Sequence, residues 1–427
     1  MYNMLEFLGR EYGLRVIQWW FEYPICFTKY LWKNYCGEHA GLDGIETFSG
    51  MKYQKKVSYG RLPQQTMDIM TPFDEIPIKG YVIYVHGGGF VCSTHEIYSH
   101  SLTFLVRQGF VVIGIDYPLA PQYRHPVPVL SVLLALQTIS LMFPKANEAS
   151  CGINLLGDSA GGNLVLLAAA LIQNQHLLTL LAPEAKQITA TSSSILPADN
   201  DDILTWTFPS IKRVVSVYGM LARQACSSSS SPELVKTLPF MNAIIRFLWQ
   251  CHDRRCANGS VNQHNANIKQ RLPASFVELL LLISSLSSSS SSSSSSAFST
   301  STPADPPNPK NTNNNRINIL KNKKIKFNFP SLLLCCADKD FLTATSHQAK
   351  QLLNSAGGCF NPKRIPPCCT KCYPDSLLLH ILCASSTFDD SFHTDFTLGM
   401  CVCVFPGHMA VTLRLYPGHH GFLGDSQ

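Results

Sequence analysis

One short stretch, Gly157 to Gly161 (Gly-Asp-Ser-Ala-Gly), constrains the fold of this chain more than any other. An apolar run, Ile153 to Leu156, precedes it, and an apolar, alanine-rich segment, Gly162 to Ile172, follows it. These flanks predict a buried strand and a helix, with Ser159 on the sharp turn between them. Glycines on both sides permit such a turn, and helix amides behind it favour negative charge beside the hydroxyl group. Ser159 is therefore a candidate nucleophile, and the alternative is a serine in an ordinary glycine turn.

Apolar runs of strand length alternate with helical segments along the rest of the chain. The runs that predict buried strands include Tyr81 to Val85 and Phe110 to Ile115, and the helical segments include Glu96 to Gln108. This alternation is typical of an α/β fold with a mostly parallel central sheet flanked by helices. Because ligands of such sheets bind at the carboxyl ends of the strands, we expect His86 to Gly89 and Ser159 to face one cleft.

Changes in composition divide the chain into four segments. Residues 1–54 predict an N-terminal cap or lid, and residues 55–220 predict the first part of the α/β core. Residues 221–330 combine a candidate lid helix, Met241 to Trp249, with tracts rich in serine, asparagine and lysine. These tracts, which include Ser284 to Ser296, predict disordered insertions because they cannot bury apolar surface. Residues 331–427 predict the C-terminal part of the core.

A long segment, Cys359 to Ala410, interrupts that C-terminal part. It lies between a predicted helix and the predicted strand Val411 to Tyr416, which are usually joined by about 2 to 6 residues. The segment could be a zinc-binding insertion, a disordered loop or translated non-coding sequence from an imperfect gene model. The segment has no second Cys-x-x-Cys spacing to pair with Cys369 and Cys372, which disfavours zinc and leaves the last two interpretations open. The candidate zinc ligands would be Cys368, Cys369, Cys372, Cys383, Cys401, Cys403, His380 and His408.

The net charge of +6 does not predict a nucleic-acid partner. No acidic residue lies between Pro306 and Pro330, and the basic residues of that segment match the whole excess, which is typical of a solvated connector. These basic residues are Lys310, Arg316, Lys321, Lys323, Lys324 and Lys326.

The N-terminal region favours a cytoplasmic location. Residues 1–13 include Glu6, Arg10 and Glu11 and lack the apolar core of a secretory signal, so the sixteen cysteines are expected to be reduced thiols. The aromatic run Val16 to Trp32 is interrupted by charged residues and proline and is too broken to span a bilayer. We expect it to cover an apolar pocket, and peripheral membrane contact is the alternative.

A serine hydroxyl group needs a base within hydrogen-bonding reach and a third group that orients the base. In α/β-hydrolases the acid and then the histidine follow late strands of the sheet. Asp338 and Asp340 follow the predicted strand that ends at Ala337, and His419 and His420 follow the last one.

Five motifs in order resemble the hormone-sensitive-lipase-like branch of the α/β-hydrolases, which includes arylacetamide deacetylases and many carboxylesterases. The resemblance covers about Lys55 to Phe422, apart from the insertions. The motifs are His86-Gly87-Gly88-Gly89, Asp116-Tyr117-Pro118-Leu119-Ala120-Pro121, Gly157-Asp158-Ser159-Ala160-Gly161-Gly162, Asp340-Phe341-Leu342 and His420-Gly421-Phe422.

The resemblance implies a catalytic triad of Ser159 as nucleophile, Asp340 as acid and His420 as base. Asp340 is preferred over Asp338 because Phe341-Leu342 follows it, and His420 is preferred over His419 because Gly-Phe follows it.

The resemblance also implies that the main-chain amides of Gly88, Gly89 and Ala160 form the oxyanion hole, with His86 and Gly87 in support. No metal or organic cofactor is implied. The expected function is hydrolysis of carboxylic esters with a hydrophobic acyl or aryl group through an acyl-enzyme. A non-catalytic small-molecule-binding protein on the same fold remains the alternative.

The loop after Asp116 departs from the family pattern. Pro118 stands where the family usually has arginine, and the stretch from Gln122 to Pro126 is longer by one or two residues. We expect these changes to affect the shape of the substrate pocket more than the chemistry, and we interpret Asp116 as structural.

Overall fold

The computed structural model describes residues 12, 15, 16 and 19 and the ranges 51–148, 150–181, 203–223, 232–253, 272–288, 332–337, 342–355 and 411–416. Most of the predicted cap, the basic segment and the Cys-rich insertion fall outside these residues. The same holds for Asp338, Asp340, His419 and His420.

Eight strands form one sheet in the order β1-β2-β4-β3-β5-β6-β7-β8. Strand β2 runs antiparallel to β1 and β4, and the pairs from β4 through β8 are parallel. The strands are β1 (Met51–Ser58), β2 (Thr66–Pro72), β3 (Gly80–Val85), β4 (Phe110–Ile115), β5 (Ile153–Asp158), β6 (Ile211–Val217), β7 (Leu332–Ala337) and β8 (Val411–Tyr416).

Six helices join these strands in the described part of the chain. They are α1 (Glu96–Arg107), α2 (Val127–Met142), α3 (Ser159–Gln173), α4 (Pro232–His252), α5 (Phe276–Ser288) and α6 (Thr343–Ser355). Short 3₁₀ helices span Pro144–Asn147, Gln175–Leu180 and Ile203–Thr205.

The central strands are buried along their whole length. Every residue of β3, β4 and β5 is buried, as expected for parallel strands covered on both faces. Helix α2 is apolar nearly all round and is buried from Pro128 to Ser140. The predicted mostly parallel sheet flanked by helices is thus confirmed.

The parallel register aligns the carboxyl ends of the strands at one edge of the sheet. Val85 of β3 pairs with Gly157 of β5, and Ala337 of β7 pairs with Tyr416 of β8. Ser159 directly follows β5 at this edge. In the sequence, Asp340 lies three residues after β7 and His420 four residues after β8. Strands β7 and β8 therefore end at the edge of the sheet that carries Ser159, and Asp340 and His420 themselves lie outside the described residues.

Two helices differ from the sequence-based expectation. Helix α4 is longer than the predicted Met241 to Trp249, and α5 was not predicted. Helix α5 includes Ser284 to Ser288, so the prediction of disorder is wrong for the first residues of the serine tract. The helix begins with a capping signature in which the Ser275 hydroxyl group accepts a hydrogen bond from the Glu278 amide at 3.2 Å. Within the described ranges, no helix has the length and apolar composition required to cross a membrane.

Candidate active site

Ser159 occupies a strained turn between β5 and α3. Its φ is +47°, in the left-handed region that residues with a side chain rarely adopt, whereas the preceding Asp158 is extended. Such strain persists only where the surroundings enforce it, and it is concentrated at functional sites. The elbow therefore has the predicted geometry, and the catalytic role of Ser159 stays a prediction.

Glycines beside Ser159 are required by close packing. A Cβ atom at Gly161 would lie 2.0 Å from the carbonyl oxygen of Val85, and one at Gly157 would lie 2.4 Å from the carbonyl oxygen of Gly161. A Cβ atom at Gly162 would lie 2.6 Å from the Ser216 hydroxyl oxygen. The start of α3 thus packs directly on the ends of β3 and β6, which fixes the height of Ser159 above the sheet.

The segment His86–Gly89, here called the oxyanion loop, continues into a run of left-handed residues. The φ values of Gly88, Gly89 and Phe90 are +95°, +60° and +68°. The carbonyl oxygen of Gly88 accepts hydrogen bonds from the amides of Val91 at 3.1 Å and Cys92 at 3.2 Å. The loop is thus a tight turn of defined shape, and Phe90 is a second strained residue beside Ser159.

The Asp158 carboxylate connects the oxyanion loop to the elbow. It accepts hydrogen bonds from the Gly87 amide at 2.8 Å and from the Tyr84 hydroxyl group at 2.7 Å. The approach is so close that a Cβ atom at Gly87 would lie 2.4 Å from Asp158 Oδ2 and 3.0 Å from Ser159 Cβ. The predicted oxyanion donors and the Ser159 side chain are therefore adjacent.

The main-chain amides beside Ser159 are suited to binding an anion. In the described part of the chain, the Gly88 and Gly89 amides donate to no main-chain or side-chain acceptor, unlike the Gly87 amide. Ala160 is the second residue of α3, and the first amides of a helix have no acceptor within it. These three donors can receive negative charge that develops next to the Ser159 hydroxyl group.

His86 supports the oxyanion loop as a neutral ring. It stacks on Tyr117 with ring centroids 4.3 Å apart, and its Nδ1 lies 2.8 Å from the Gly87 carbonyl oxygen. Burial lowers the pKa of His86 to about 4, although Asp116 acts in the opposite direction. Because a carbonyl oxygen only accepts, Nδ1 carries the ring hydrogen and donates a hydrogen bond to the Gly87 carbonyl oxygen. The Tyr117 hydroxyl group donates to the carbonyl oxygens of His86 at 3.0 Å and Gly87 at 3.3 Å.

A buried cluster of three charged side chains lies behind this loop. His95 Nε2 lies 3.0 Å from Asp68 Oδ2, and His95 Nδ1 lies 2.9 Å from Asp116 Oδ1. Burial alone would lower the pKa of His95, but the carboxylates of Asp116 and Asp68 outweigh it and raise the pKa to about 9. Burial would raise the pKa of both carboxyl groups, but His95 outweighs it and lowers them. At neutral pH the cluster thus holds an imidazolium between two carboxylates.

Helix α4 covers the outer side of the oxyanion loop. Leu248 contacts Gly89, since a Cβ atom at Gly89 would lie 2.7 Å from Leu248 Cδ1. The Phe90 ring stacks on His252 at a centroid distance of 3.8 Å and lies 5.1 Å from Trp249. These buried contacts hold Phe90 in its strained conformation, and Leu248 and Trp249 place apolar surface beside the predicted oxyanion donors.

Helix α4 is in turn fixed to α5. The Arg223 guanidinium donates hydrogen bonds to Asp253 at 2.8 Å and to Glu278 at 3.1 Å. The guanidinium carbon of Arg223 lies 5.9 Å from the centre of the Trp249 ring, a favourable position for a cation over an aromatic face. The end of α4 next to the oxyanion loop is therefore firmly positioned.

The structure brings together six of the eight predicted site residues, namely His86, Gly87, Gly88, Gly89, Ser159 and Ala160. The other two, Asp340 and His420, lie outside the described residues. Sequence reasoning assigned no role to Asp158 or Tyr117, although both belong to motifs. It missed His95 and Leu248, which no local pattern marks. Within the described ranges no group of three or more His, Cys, Asp or Glu side chains is arranged to hold a metal ion, and the Cys-rich insertion lies outside them.

Residues 82–239 match a family described as alpha/beta hydrolase fold. The acetyl esterase of Salmonella typhi is 30% identical over 126 residues, which cover 26% of this chain and 38% of that esterase. The acetyl esterase of Salmonella dublin is 29% identical over the same length. The chain thus spans under two fifths of the curated relatives it matches.

Solved structures of esterases align over more of the chain at lower identity. Esterase B of Lactobacillus rhamnosis aligns with 88% of this chain and 79% of its own, at 14% identity and a TM-score of 0.46. A hormone-sensitive lipase from a metagenome library aligns with 88% of this chain and 78% of its own, at 13% identity and a TM-score of 0.44.

The family match covers β3 to the first part of α4, which includes both the oxyanion loop and the elbow. The sheet has the mostly parallel order and the strand–turn–helix elbow that the α/β-hydrolase fold requires. The described residues therefore have the α/β-hydrolase fold, and residues 82–239 are similar to the family of that description.

Proposed function

We propose that the protein is a serine hydrolase that cleaves carboxylic esters, with Ser159 as nucleophile, His420 as base and Asp340 as the acid that orients His420. The observation that carries the proposal is the position of Ser159. Its side chain lies on a strained elbow against Gly87, next to amides of Gly88 and Gly89 that have no acceptor among the described residues.

In the proposed reaction, His420 removes the hydroxyl proton as Ser159 Oγ attacks the ester carbonyl carbon. The carbonyl oxygen becomes an oxyanion that accepts hydrogen bonds from Gly88, Gly89 and Ala160, each worth about 3 to 4 kcal/mol in the transition state. His420 then protonates the leaving alcohol, and an acyl-enzyme remains on Ser159. A water molecule, activated by His420, attacks the acyl carbon and releases the acid and free Ser159.

We further propose that the substrate has a small hydrophobic acyl or aryl group. Leu248 contacts Gly89, and Phe90 and Trp249 add aromatic surface on the same side, so the wall beside the proposed oxyanion donors is apolar and lies directly against the main chain of Gly89. A wall this close to the donors favours short acyl chains because each methylene group that does not fit lowers the rate about 10-fold or more. The name of the Salmonella relatives, acetyl esterase, agrees with a short chain.

The test compares the wild type with Ser159→Ala on p-nitrophenyl esters of two to twelve carbons and on a fluorophosphonate probe. We expect Ser159→Ala to lose at least about 1,000-fold in kcat/KM and all labelling. Ser93→Ala is a matched control, since Ser93 lies in the turn after the oxyanion loop and should retain labelling. Full activity of Ser159→Ala would exclude the mechanism.

The same experiment tests the non-catalytic alternative. A folded wild-type protein that neither hydrolyses the esters nor reacts with the probe, yet binds them in calorimetry, would be a ligand-binding protein on this fold. Asp340→Asn and His420→Gln extend the test to the residues outside the described ranges. Each should lower kcat strongly with little change in KM if it belongs to the triad.

Peripheral membrane contact through the N-terminus is also a proposal. Tyr12, Val16 and Trp19 are spaced as on one face of a helix, and Tyr12 and Trp19 are 64% and 61% exposed. Aromatic side chains with a polar edge favour the lipid–water interface. A larger fraction of the wild type than of the double variant Tyr12→Ser/Trp19→Ser should sediment with phosphatidylcholine vesicles. Equal fractions would contradict the proposal.

A further inference from the structure

We propose that His95 is a positioning residue for the oxyanion loop: it holds Asp116, and through Asp116 and Tyr117 it sets the position of the main chain at His86 and Gly87. The inference rests on the proposed function, because the loop is assigned there to oxyanion binding. It adds a residue that neither the sequence motifs nor the family resemblance assigned to the site.

His95 joins three separate segments of the fold. Asp68 belongs to β2, His95 precedes α1, and Asp116 follows β4. The imidazole ring fills a space that only glycine leaves open, since a Cβ atom at Gly114 would lie 2.6 Å from His95 Cδ2. The His95 amide also donates to Asp116 Oδ1 at 2.7 Å. One carboxylate oxygen of Asp116 therefore faces both the ring and the main chain of His95.

Asp116 is held on its main-chain side as well. Its amide donates to the Thr66 carbonyl oxygen at 2.9 Å, and its carbonyl oxygen accepts from the Tyr59 hydroxyl group at 2.5 Å. Its Oδ1 lies 3.7 Å from His86 Nε2, whereas the other ring nitrogen, Nδ1, contacts the Gly87 carbonyl oxygen. Asp116 thus has a fixed position directly next to His86.

The residue after Asp116 transmits this position to the loop. Tyr117 stacks on the His86 ring and donates to the carbonyl oxygens of His86 and Gly87. The Gly87 amide, on the other side of the same residue, donates to Asp158. A shift of Asp116 would therefore move Tyr117, change the peptide planes of His86 and Gly87 and misdirect the amides that follow.

The cluster contains an internal control, because the two carboxylates have different neighbours. Asp68 accepts from the Tyr53 hydroxyl group and from the Lys56 amide at 2.7 Å, and both donors belong to the edge strand β1. Asp116 contacts the oxyanion loop. Loss of either carboxylate removes one ion pair of His95, but only loss of Asp116 also disturbs His86 and Tyr117.

The experiment compares Asp116→Asn with Asp68→Asn in the full chain. Amide hydrogen exchange is measured on peptides covering residues 86–92, and acylation is measured as kcat and KM on p-nitrophenyl acetate and as the rate of fluorophosphonate labelling. We expect Asp116→Asn to speed exchange in residues 86–92 and to slow acylation at least about 10-fold with KM within 2-fold. Asp68→Asn should lose similar thermal stability but stay within about 3-fold of the wild-type acylation rate.

Equal effects of the two variants on exchange and acylation, or no effect of Asp116→Asn on either, would show that the cluster only stabilises the fold. If Asp116→Asn does not fold, Tyr117→Phe replaces it, since this variant keeps the ring stacked on His86 and removes only the donated hydrogen bonds; it should also speed exchange and lower kcat. A wild type inert to ester and probe would overturn the proposed function. Faster exchange in Asp116→Asn would then still support positioning of the loop through the His95–Asp116 pair.

Discussion

The Gly87 amide donates a hydrogen bond to Asp158 Oδ1 at 2.8 Å and thereby joins two motifs that lie 71 residues apart in the sequence. The contact ties the oxyanion loop to the residue that immediately precedes Ser159. The distance between the Ser159 hydroxyl group and the predicted oxyanion donors therefore depends on one buried carboxylate.

Replacement of Asp158 tests this dependence. Asp158→Ala removes the acceptor of both Gly87 and Tyr84, and a hydrogen bond to a charged group is worth about 1.5 to 3 kcal/mol. We expect kcat for a short ester to fall about 10- to 100-fold. Tyr84→Phe is the control, because it removes one donor to Asp158 and leaves the Gly87 contact intact. Wild-type kcat in Asp158→Ala would contradict the role of this contact.

Two glycine substitutions should separate folding from activity. Gly161→Ala places a methyl group 2.0 Å from the Val85 carbonyl oxygen, and because main chain cannot move aside, we expect loss of the folded state. Gly87→Ala meets the end of a side chain, Asp158 Oδ2, so the protein should fold but lose most of its activity.

Circular dichroism melts and initial rates on p-nitrophenyl acetate measure the two outcomes. Gly80→Ala on β3 is the control, since its methyl group would meet the Cys151 carbonyl oxygen at 3.2 Å and only a small shift is needed. An active Gly87→Ala protein would show that the oxyanion loop tolerates a different position.

The free energy of unfolding should pass through a maximum near pH 6.5, because two buried histidines have pKa values shifted in opposite directions. The pKa of His86 is lowered to about 4, so its contribution is present above 6.5 and is lost as the pH falls towards 4. The pKa of His95 is raised to about 9, so its contribution is present below 6.5 and is lost as the pH rises through 9. Each slope is at most about 1.4 kcal/mol per pH unit.

Urea unfolding between pH 4.5 and 9 measures this profile. His86→Gln should flatten the acid side and leave the alkaline side unchanged, and His95→Gln should do the reverse. A profile of the wild type that is flat from pH 6.5 to 9 would mean that His95 is not an imidazolium in the folded protein.

Leu248 should limit the length of the acyl chain. Leu248→Ala removes the side chain that contacts Gly89, and we expect the ratio of kcat/KM for the octanoate ester to that for the acetate ester to rise about 10-fold. Leu282→Ala on α5 is the control, because Leu282 is buried to a similar degree. An identical chain-length profile for both variants would place the acyl group elsewhere.

The sequence predicted those strands, turns and helices that a pattern of neighbouring residues indicates. The unbroken apolar run of β3 follows from burial on both faces, and the elbow follows from glycines on either side of Ser159. Helix α5 was missed because its end lies in a serine-rich tract, although the Ser275–Glu278 cap marks its start. Local signals thus identified most of the sheet and the strand–turn–helix elbow that carries Ser159.

The contacts that support the site could not be predicted because they join distant segments. His95 pairs with Asp68 on β2 and with Asp116 after β4, and Leu248 reaches Gly89 from a helix far along the chain. No local sequence pattern marks His95 or Leu248, and only the folded protein brings each of them next to its partners. Asp340 and His420 stay predictions for a different reason, since they lie outside the described residues.

The in-register pairing of β7 with β8 also bears on protein engineering. The connection from Ser355 to Val411 is roughly ten times the usual length, but the entropy of closing a loop grows only with the logarithm of its length, so the excess costs about 2 kcal/mol. Strand β8 pairs in register with β7 although the sequence between them is so long. The connection between Ser355 and Val411 is therefore a position at which a foreign domain could be inserted, or the polypeptide divided into two fragments, without redesign of the sheet.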